Sequence, residues 1–202
     1  MSESLTDSSS RLAQVLGRYR ELCAWCDSFF ATALTANRAH MQCGPGCATC
    51  CTLTTVTPLE AHAVELYLRE HPGQADAIRQ CPPGTRAGAP ALDHEMCPLL
   101  LHRECAVYPA RPIICRTHGL AVRYAGTGAM HSCPMNFRER DPETLDPQYV
   151  LDSDRVTENL MRLNLAFCRL TGRDRDAGQR VALSSLVRVK ANADNAEYAD
   201  QR

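Results

Sequence analysis

The sequence predicts a mainly α fold in which helices flank an irregular, cysteine-rich centre that carries one short β-hairpin. Three observations predict it. Apolar residues recur at helical spacing towards both ends of the chain, the middle is punctuated by Gly, Pro and Cys without a regular period, and a Gly126-Thr127-Gly128 turn separates two short strand-like runs. With 202 residues, 45% of them hydrophobic, the chain is long enough to build a core of its own, and a single domain over 1–202 is expected.

The elements follow in order. Residues 9–41 read as one long amphipathic helix, because Leu12, Val15, Leu16, Tyr19, Leu22, Cys23, Cys26, Phe29, Phe30, Ala33 and Leu34 recur at spacings of three and four. A loop with tight Gly and Pro turns follows, Cys43-Gly-Pro-Gly-Cys47-Ala-Thr-Cys50-Cys51. A second helix starts at Pro58: Thr57 is placed to cap it, proline suits its first position, and Glu60 completes a capping box with Thr57. His71-Pro72-Gly73 stops that helix, a short one is expected over Gln74 to Gln80, and Cys81 to Glu95 reads as loop. The stretch from Cys97 to Phe137 is expected to be irregular. It has short apolar runs at Leu99 to Leu101 and Cys105 to Tyr108, a turn of helix near Ile113, and a hairpin pairing Leu120–Tyr124 with Met130–Ser132. Two helices within 152–192 close the chain. Val156, Leu160, Leu163, Phe167 and Leu170 stripe the first, which ends at Gly172, and Val181, Leu186 and Val189 outline the second.

Composition excludes some functions. A net charge of −1 without runs of like charge argues against nucleic acid as a partner. No stretch of about 18 apolar residues exists to span a membrane. The start, Met1 to Arg11, lacks the basic and apolar regions of a signal peptide, so a cytoplasmic protein is expected.

The outlying feature is cysteine, with twelve in the chain. In a reducing compartment, clustered thiols serve metal binding or redox chemistry better than structural disulfides. Eight form the candidate set in the irregular middle: Cys43, Cys47, Cys50, Cys51, Cys97, Cys105, Cys115 and Cys133. Two or three intervening residues let one turn aim two thiolates at a single metal with little loop-closure entropy, and Gly44 and Gly46 allow the tight backbone this needs. Cys-Pro steps at 97 and 133 resemble those that close bacterial ferredoxin motifs. The centre is therefore expected to be metal-braced. Two sets of four thiolates would make two closed sites, and a set of three would leave a position open. Cys23 and Cys26 form a CxxC motif, yet both fall on the apolar stripe of the first helix and read as core. Cys168 reads the same way, and Cys81 is undecided.

These residues resemble a known family. Cys43-x3-Cys47-x2-Cys50-Cys51, then Cys97-Pro98-Leu99-Leu100, then Cys105-Ala-Val-Tyr108-x2-Arg111-Pro112-x2-Cys115-Arg116 is similar to the YkgJ-type cysteine-cluster family, whose domain is described as zinc- or iron-chelating. The resemblance covers roughly positions 43 to 133. It implies that the eight cysteines, with Cys133 the least marked, are metal ligands, and that Arg111 and Arg116 occupy the family's Arg-Pro and Cys-Arg positions. The family includes larger flagellin lysine N-methylases that carry an iron–sulfur centre, so a protein N-methylase-like activity is an inherited possibility. Read on their own, the two guanidinium groups would offset thiolate charge and donate to sulfur.

The Cys43-x3-Cys47-x2-Cys50 spacing equals that of radical-SAM clusters, but alternating strand–helix units are missing and Thr49 stands where an aromatic is usual. The spacing still suits three corners of a [4Fe–4S] cluster. Iron–sulfur is favoured over zinc on that spacing and on the Cys-Pro steps, while all-thiolate sites suit zinc as well. Among the histidines near the cluster (His94, His118 and His131), His118, three residues after Cys115, is the preferred extra ligand or sulfur donor. Asp93 and Glu95 beside Cys97 would serve an open site. Three roles remain: a redox protein with an unknown partner protein, a zinc-bearing structural or interaction module, or an enzyme with an open metal position.

Overall fold

A computed structural model of the chain describes residues 2–81, 96–124, 126 and 128–187. Helix α1 (Ser2–Ala36) buries Tyr19, Cys23, Cys26 and Ala33, with Leu12, Val15, Leu16, Leu22, Phe29, Phe30 and Leu34 partly buried beside them. This is the stripe expected from the sequence, and it places Cys23 and Cys26 in the core. The helix begins earlier and ends earlier than 9–41. At its start Asp7 and Arg11 pair one turn apart at 2.8 Å, so the polar opening is compatible with helix. At its end the backbone and side-chain N–H groups of buried Asn37 both donate to the Ala33 carbonyl, each at 3.0 Å. The chain then tightens into a 3-10 turn, Arg38–His40, before Met41 becomes extended.

After the cysteine loop come strand β1 (Thr55–Val56) and helix α2 (Pro58–Glu70), whose capping box between Thr57 and Glu60 forms as expected. Helix α3 (Pro72–Gln80) starts two residues before the expected position because Pro72 fits its first turn. Strands β2 (Leu100–Leu101) and β3 (Glu104–Cys105) make an antiparallel hairpin in a stretch expected to be irregular. The signal was missing because the turn residues His102 and Arg103 adopt φ of 48° and 67°, a conformation usually left to Gly or Asn. Helix α4 (Ile113–Thr117) follows, then β4 (Ala121–Arg123) and β5 (Met130–His131), the expected hairpin. A third strand, β6 (Val150–Asp152), adds to β4 in parallel, with Ala121 opposite Val150, which the sequence did not indicate.

Helix α5 (Ser153–Leu170) ends in a Schellman motif. Gly172 has φ 68° and donates to the Arg169 carbonyl, while Arg173 donates to that of Cys168, as the Gly172 stop implies. The last expected helix is shorter than thought. Val181 lies in strand β7 (Val181–Ala182), which pairs with β1, and only Leu183–Val187 forms helix α6. Val189, and the Cys81–Glu95 loop from residue 82, fall outside the described residues.

Two main apolar clusters result. One joins α1 and α5 with Met41, Leu120, Ala121 and Phe137; the other joins α2, α3 and α6 with Leu99, Ala106 and Val107. Each fully buried Leu or Phe contributes about 1.5–3 kcal/mol relative to an exposed one. The fold is therefore mainly α with small sheets of two or three strands. No described helix is long and apolar enough to cross a membrane.

Candidate metal centre

The cysteine loop is a chain of small turns anchored at both ends. Met41, 1% exposed, fixes its entry and Val56 its exit. Between them Cys47 N–H donates to the Gly44 carbonyl (3.1 Å), Cys51 N–H to that of Ala48 (3.0 Å) and Thr52 N–H to that of Cys50 (2.9 Å). Gly46 has φ 79°, the left-handed conformation expected of a glycine here. Ala48 packs against Leu100, with Cys51 and Met96 beside it, so the loop leans on the β2–β3 hairpin. Arg103, at the hairpin tip, donates to the Gly46 carbonyl at 3.1 Å. Cys97 N–H donates to the Cys51 carbonyl at 2.7 Å, tying the second cysteine segment to the first. Cys105 lies opposite Leu100 in the hairpin.

Cys115 rides on α4, which is set from two sides. The buried Glu60 carboxylate accepts the Ile113 N–H at 3.1 Å, satisfying an N-terminal donor of α4 that has no partner within the helix. From α1, Asp27 receives Arg111 at 2.6 Å and Arg116 at 2.5 Å. Arg116, 6% exposed, also donates to the Arg111 and Pro109 carbonyls. Arg111 donates to the Tyr108 carbonyl and lies over that ring, 3.9 Å from its centroid. The two arginines thus do structural work through Asp27, a partner the sequence did not reveal. Their charge still reaches sulfur, since both favour the thiolate of Cys105.

Cys133 is buried and precedes a turn in which Asn136 N–H donates back to its carbonyl at 2.8 Å. The Asn136 side chain donates to Cys43 Sγ at 3.2 Å and to the Gly119 carbonyl at 2.6 Å, and it accepts the Gln42 N–H at 2.8 Å. Gly119 has φ 103°, and a Cβ there would stand 2.4 Å from Cys43 Sγ. Neither Asn136 nor Gly119 was singled out from the sequence, because their roles depend on partners far along the chain.

The thiols act on one another. Burial pushes Cys43 up, opposed by the Asn136 hydrogen bond, and the charges of Cys133, Cys47 and Cys50 push it further. The Cys50 thiol is raised by its hydrogen bond with Cys51 and then by burial. Burial raises Cys105, opposed by a backbone donor at Val107 and by the two arginines. Cys115 is an exposed residue, yet burial of its sulfur raises it, followed by Cys97, Cys105, Cys50 and Glu60. The Cys43 thiol therefore feels Cys133, Cys47 and Cys50, and the Cys115 thiol feels Cys97, Cys105 and Cys50. Among the described residues, no three His, Cys, Asp or Glu side chains converge closely enough to hold one ion, so metal bracing of this centre is not displayed. The donor chemistry nonetheless fits a soft cation, because crowded thiols resist ionisation until a positive charge offsets their repulsion.

His118 terminates α4, donating its backbone N–H to the Ile114 carbonyl at 2.9 Å, and burial lowers its imidazole pKa. His131 sits in β5, edge-on to Tyr124 at 5.4 Å between ring centroids. His94, Asp93 and Glu95 lie outside the described residues.

The described residues thus form a helical protein whose middle segments bring thiols from several turns near one another. Residues 42–134, just under half of the chain, match the CxxCxxCC family, described as "Putative zinc- or iron-chelating domain". This is the cysteine-cluster family to which the sequence motifs pointed. No curated protein and no solved structure matches the chain.

Proposed function

We propose that Cys43, Cys47, Cys50, Cys51, Cys97, Cys105, Cys115 and Cys133 hold one or two thiolate-ligated metal centres, with an iron–sulfur cluster of the [4Fe–4S] type favoured over zinc and a redox or cluster-dependent role. The observation that carries this reading is that thiols of separate segments lie within electrostatic reach, Cys133 acting on Cys43, and Cys97 and Cys105 acting on Cys115. Chains do not gather thiols in this way for packing alone, since a buried free cysteine is simply a small hydrophobe. The Cys43-x3-Cys47-x2-Cys50 spacing and the two Cys-Pro steps support iron–sulfur. Cys47 and Cys115 are exposed, which leaves the cluster near the surface where a redox partner protein would exchange electrons.

The test is anaerobic purification followed by an absorption spectrum and assays of iron, zinc and acid-labile sulfide per chain. A brown protein with about four iron and four sulfide per cluster supports the reading. A colourless protein with one or two zinc ions moves the assignment to a structural or interaction module. Three protein ligands and an open position would point to an enzyme, such as one with N-methylase-like activity. A Cys47→Ser variant that folds and keeps its full metal content would count against the assigned ligand set.

A further inference from the structure

We propose that Asn136 is the positioning residue of the Cys43 thiolate, and that Gly119 provides the space this thiolate occupies. The inference rests on the reading of Cys43 as a metal ligand and assigns the site a determinant that is not a cysteine.

Asn136 is 4% exposed, and its amide has only one orientation that satisfies its neighbours. Its oxygen faces the Gln42 N–H at 2.8 Å, and its nitrogen faces the Gly119 carbonyl at 2.6 Å. Exchanging the two atoms would set N–H against N–H and oxygen against oxygen. One amide proton goes to Gly119, which leaves the second for Cys43 Sγ at 3.2 Å. Because the amide is itself held by Gln42 and Gly119, its N–H fixes where the sulfur sits. The bracket is also rigid. Phe137, next in sequence, is buried with φ 53° and donates to the His40 carbonyl at 2.7 Å, while Asn136 N–H reaches back to Cys133. One residue thereby relates Cys43 to Cys133 across 90 positions of sequence. Gly119 completes the arrangement, because a side chain there would collide with the sulfur at 2.4 Å and would also be strained at φ 103°.

The experiment uses the full chain, reduced and stripped of metal, then titrated with Co²⁺ against a competing chelator. Thiolate–cobalt absorption reports binding, and mass spectrometry after alkylation reports which cysteines the metal protects. Asn136→Asp keeps the shape and the acceptor for Gln42 but removes both donated protons. Loss of a group that orients a ligand typically costs about 10–100-fold in metal affinity, and protection of Cys43 should be lost first. Asn164→Asp is the control: Asn164 is an equally buried amide that accepts from Leu59 N–H at 3.0 Å and donates to the Ala177 carbonyl at 2.8 Å. This control should leave Cys43 protection unchanged. If Asn136→Asp does not fold, Gly119→Ala tests the same sulfur while keeping the amide's protons, its Cβ meeting Cys43 Sγ at 2.4 Å and the Asn136 amide nitrogen at 3.3 Å, and it too should release Cys43 first. Wild-type protection of Cys43 that persists unchanged in the folded Asn136 or Gly119 variant, or that is lost equally in the Asn164 control, overturns the proposal. Absence of metal-dependent protection in the wild type instead overturns the reading of Cys43 as a ligand, and the positioning role with it.

Discussion

Asp27→Ala should be one of the most damaging single changes on α1, although Asp27 lies outside the cysteine cluster. Its carboxylate is the shared acceptor for Arg111 and Arg116, at 2.6 and 2.5 Å, and so joins α1 to the segment that carries Cys115. Arg116 is 6% exposed and its remaining donors already serve two carbonyls, so loss of Asp27 leaves a buried charge without its counter-ion. Breaking a fully buried pair costs about 3–5 kcal/mol. Asp27 itself is 37% exposed, so water screens part of the interaction. The expected loss is therefore about 2–3 kcal/mol. With a urea dependence of about 2–3 kcal/mol per molar, the unfolding midpoint should fall by about 1 M. The measurement belongs on reduced, metal-free protein, so that ligand binding does not add to stability. Glu158→Ala is the internal reference, since Glu158 and Arg162 form a pair with both side chains exposed, and such pairs contribute about 0.5 kcal/mol or less. A midpoint for Asp27→Ala no lower than that for Glu158→Ala would refute the view that this carboxylate holds α4 in place.

Three further outcomes are expected. Glu60→Ala removes the acceptor of Thr57 N–H, the Thr57 hydroxyl and Ile113 N–H in a buried position, and should cost about 2–4 kcal/mol, read as a fall in melting temperature. Burial pushes the Cys26 thiol up to about 12, against 9 for an ordinary thiol, so alkylation of folded, metal-free protein at pH 8 should modify it about 1000-fold more slowly than a free thiol; comparable rates by mass spectrometry would contradict its place in the core. Burial lowers the His62 pKa, as do Arg69 and Arg173 against the opposing Glu65, so below about pH 6.5 the unfolded chain binds more protons and stability falls until the folded imidazole also titrates. His62→Gln should flatten this acid limb in urea unfolding measured from about pH 7.5 down to 5, and an unchanged limb would exclude His62 as its source.

Much of the fold was legible because its signals are local. The α1 stripe, the Thr57–Glu60 capping box and the Gly172 stop each need only a few neighbouring residues to operate, and each forms as read. What escaped depends on distant partners or on unusual turn chemistry. The β2–β3 hairpin turns through His102 and Arg103, residues that carry no turn signature. Strand β6 is recruited in parallel from 29 residues beyond its partner in β4, and no alternation in three residues, Val150 to Asp152, marks it in advance. Val181 is drawn from a helical stripe into a strand because Thr55 and Val56 offer it a backbone partner.

The cysteines proposed as ligands stand out by spacing, whereas the polar residues that hold their segments in place do not, and the reason is physical. A thiol's usefulness to a metal follows from its type and from near neighbours in sequence, and that pattern survives in one dimension. An orienting group acts through one long-range polar contact made in a buried place, where an unsatisfied partner costs about 1–3 kcal/mol and water cannot substitute. Glu60 reaches Ile113 over 53 positions, Asp27 reaches Arg116 over 89, and Asn136 reaches Gln42 over 94. In sequence each is an ordinary polar residue, and only Glu60 carried a local hint, as a helix cap. The cap and the long-range role use different oxygens of the same carboxylate: Oε2 serves Thr57 and Oε1 serves Ile113. The capping box thus fixes the rotamer of Glu60 from within α2 itself. The local signal that made α2 predictable also prepares the acceptor on which the Cys115 helix is built.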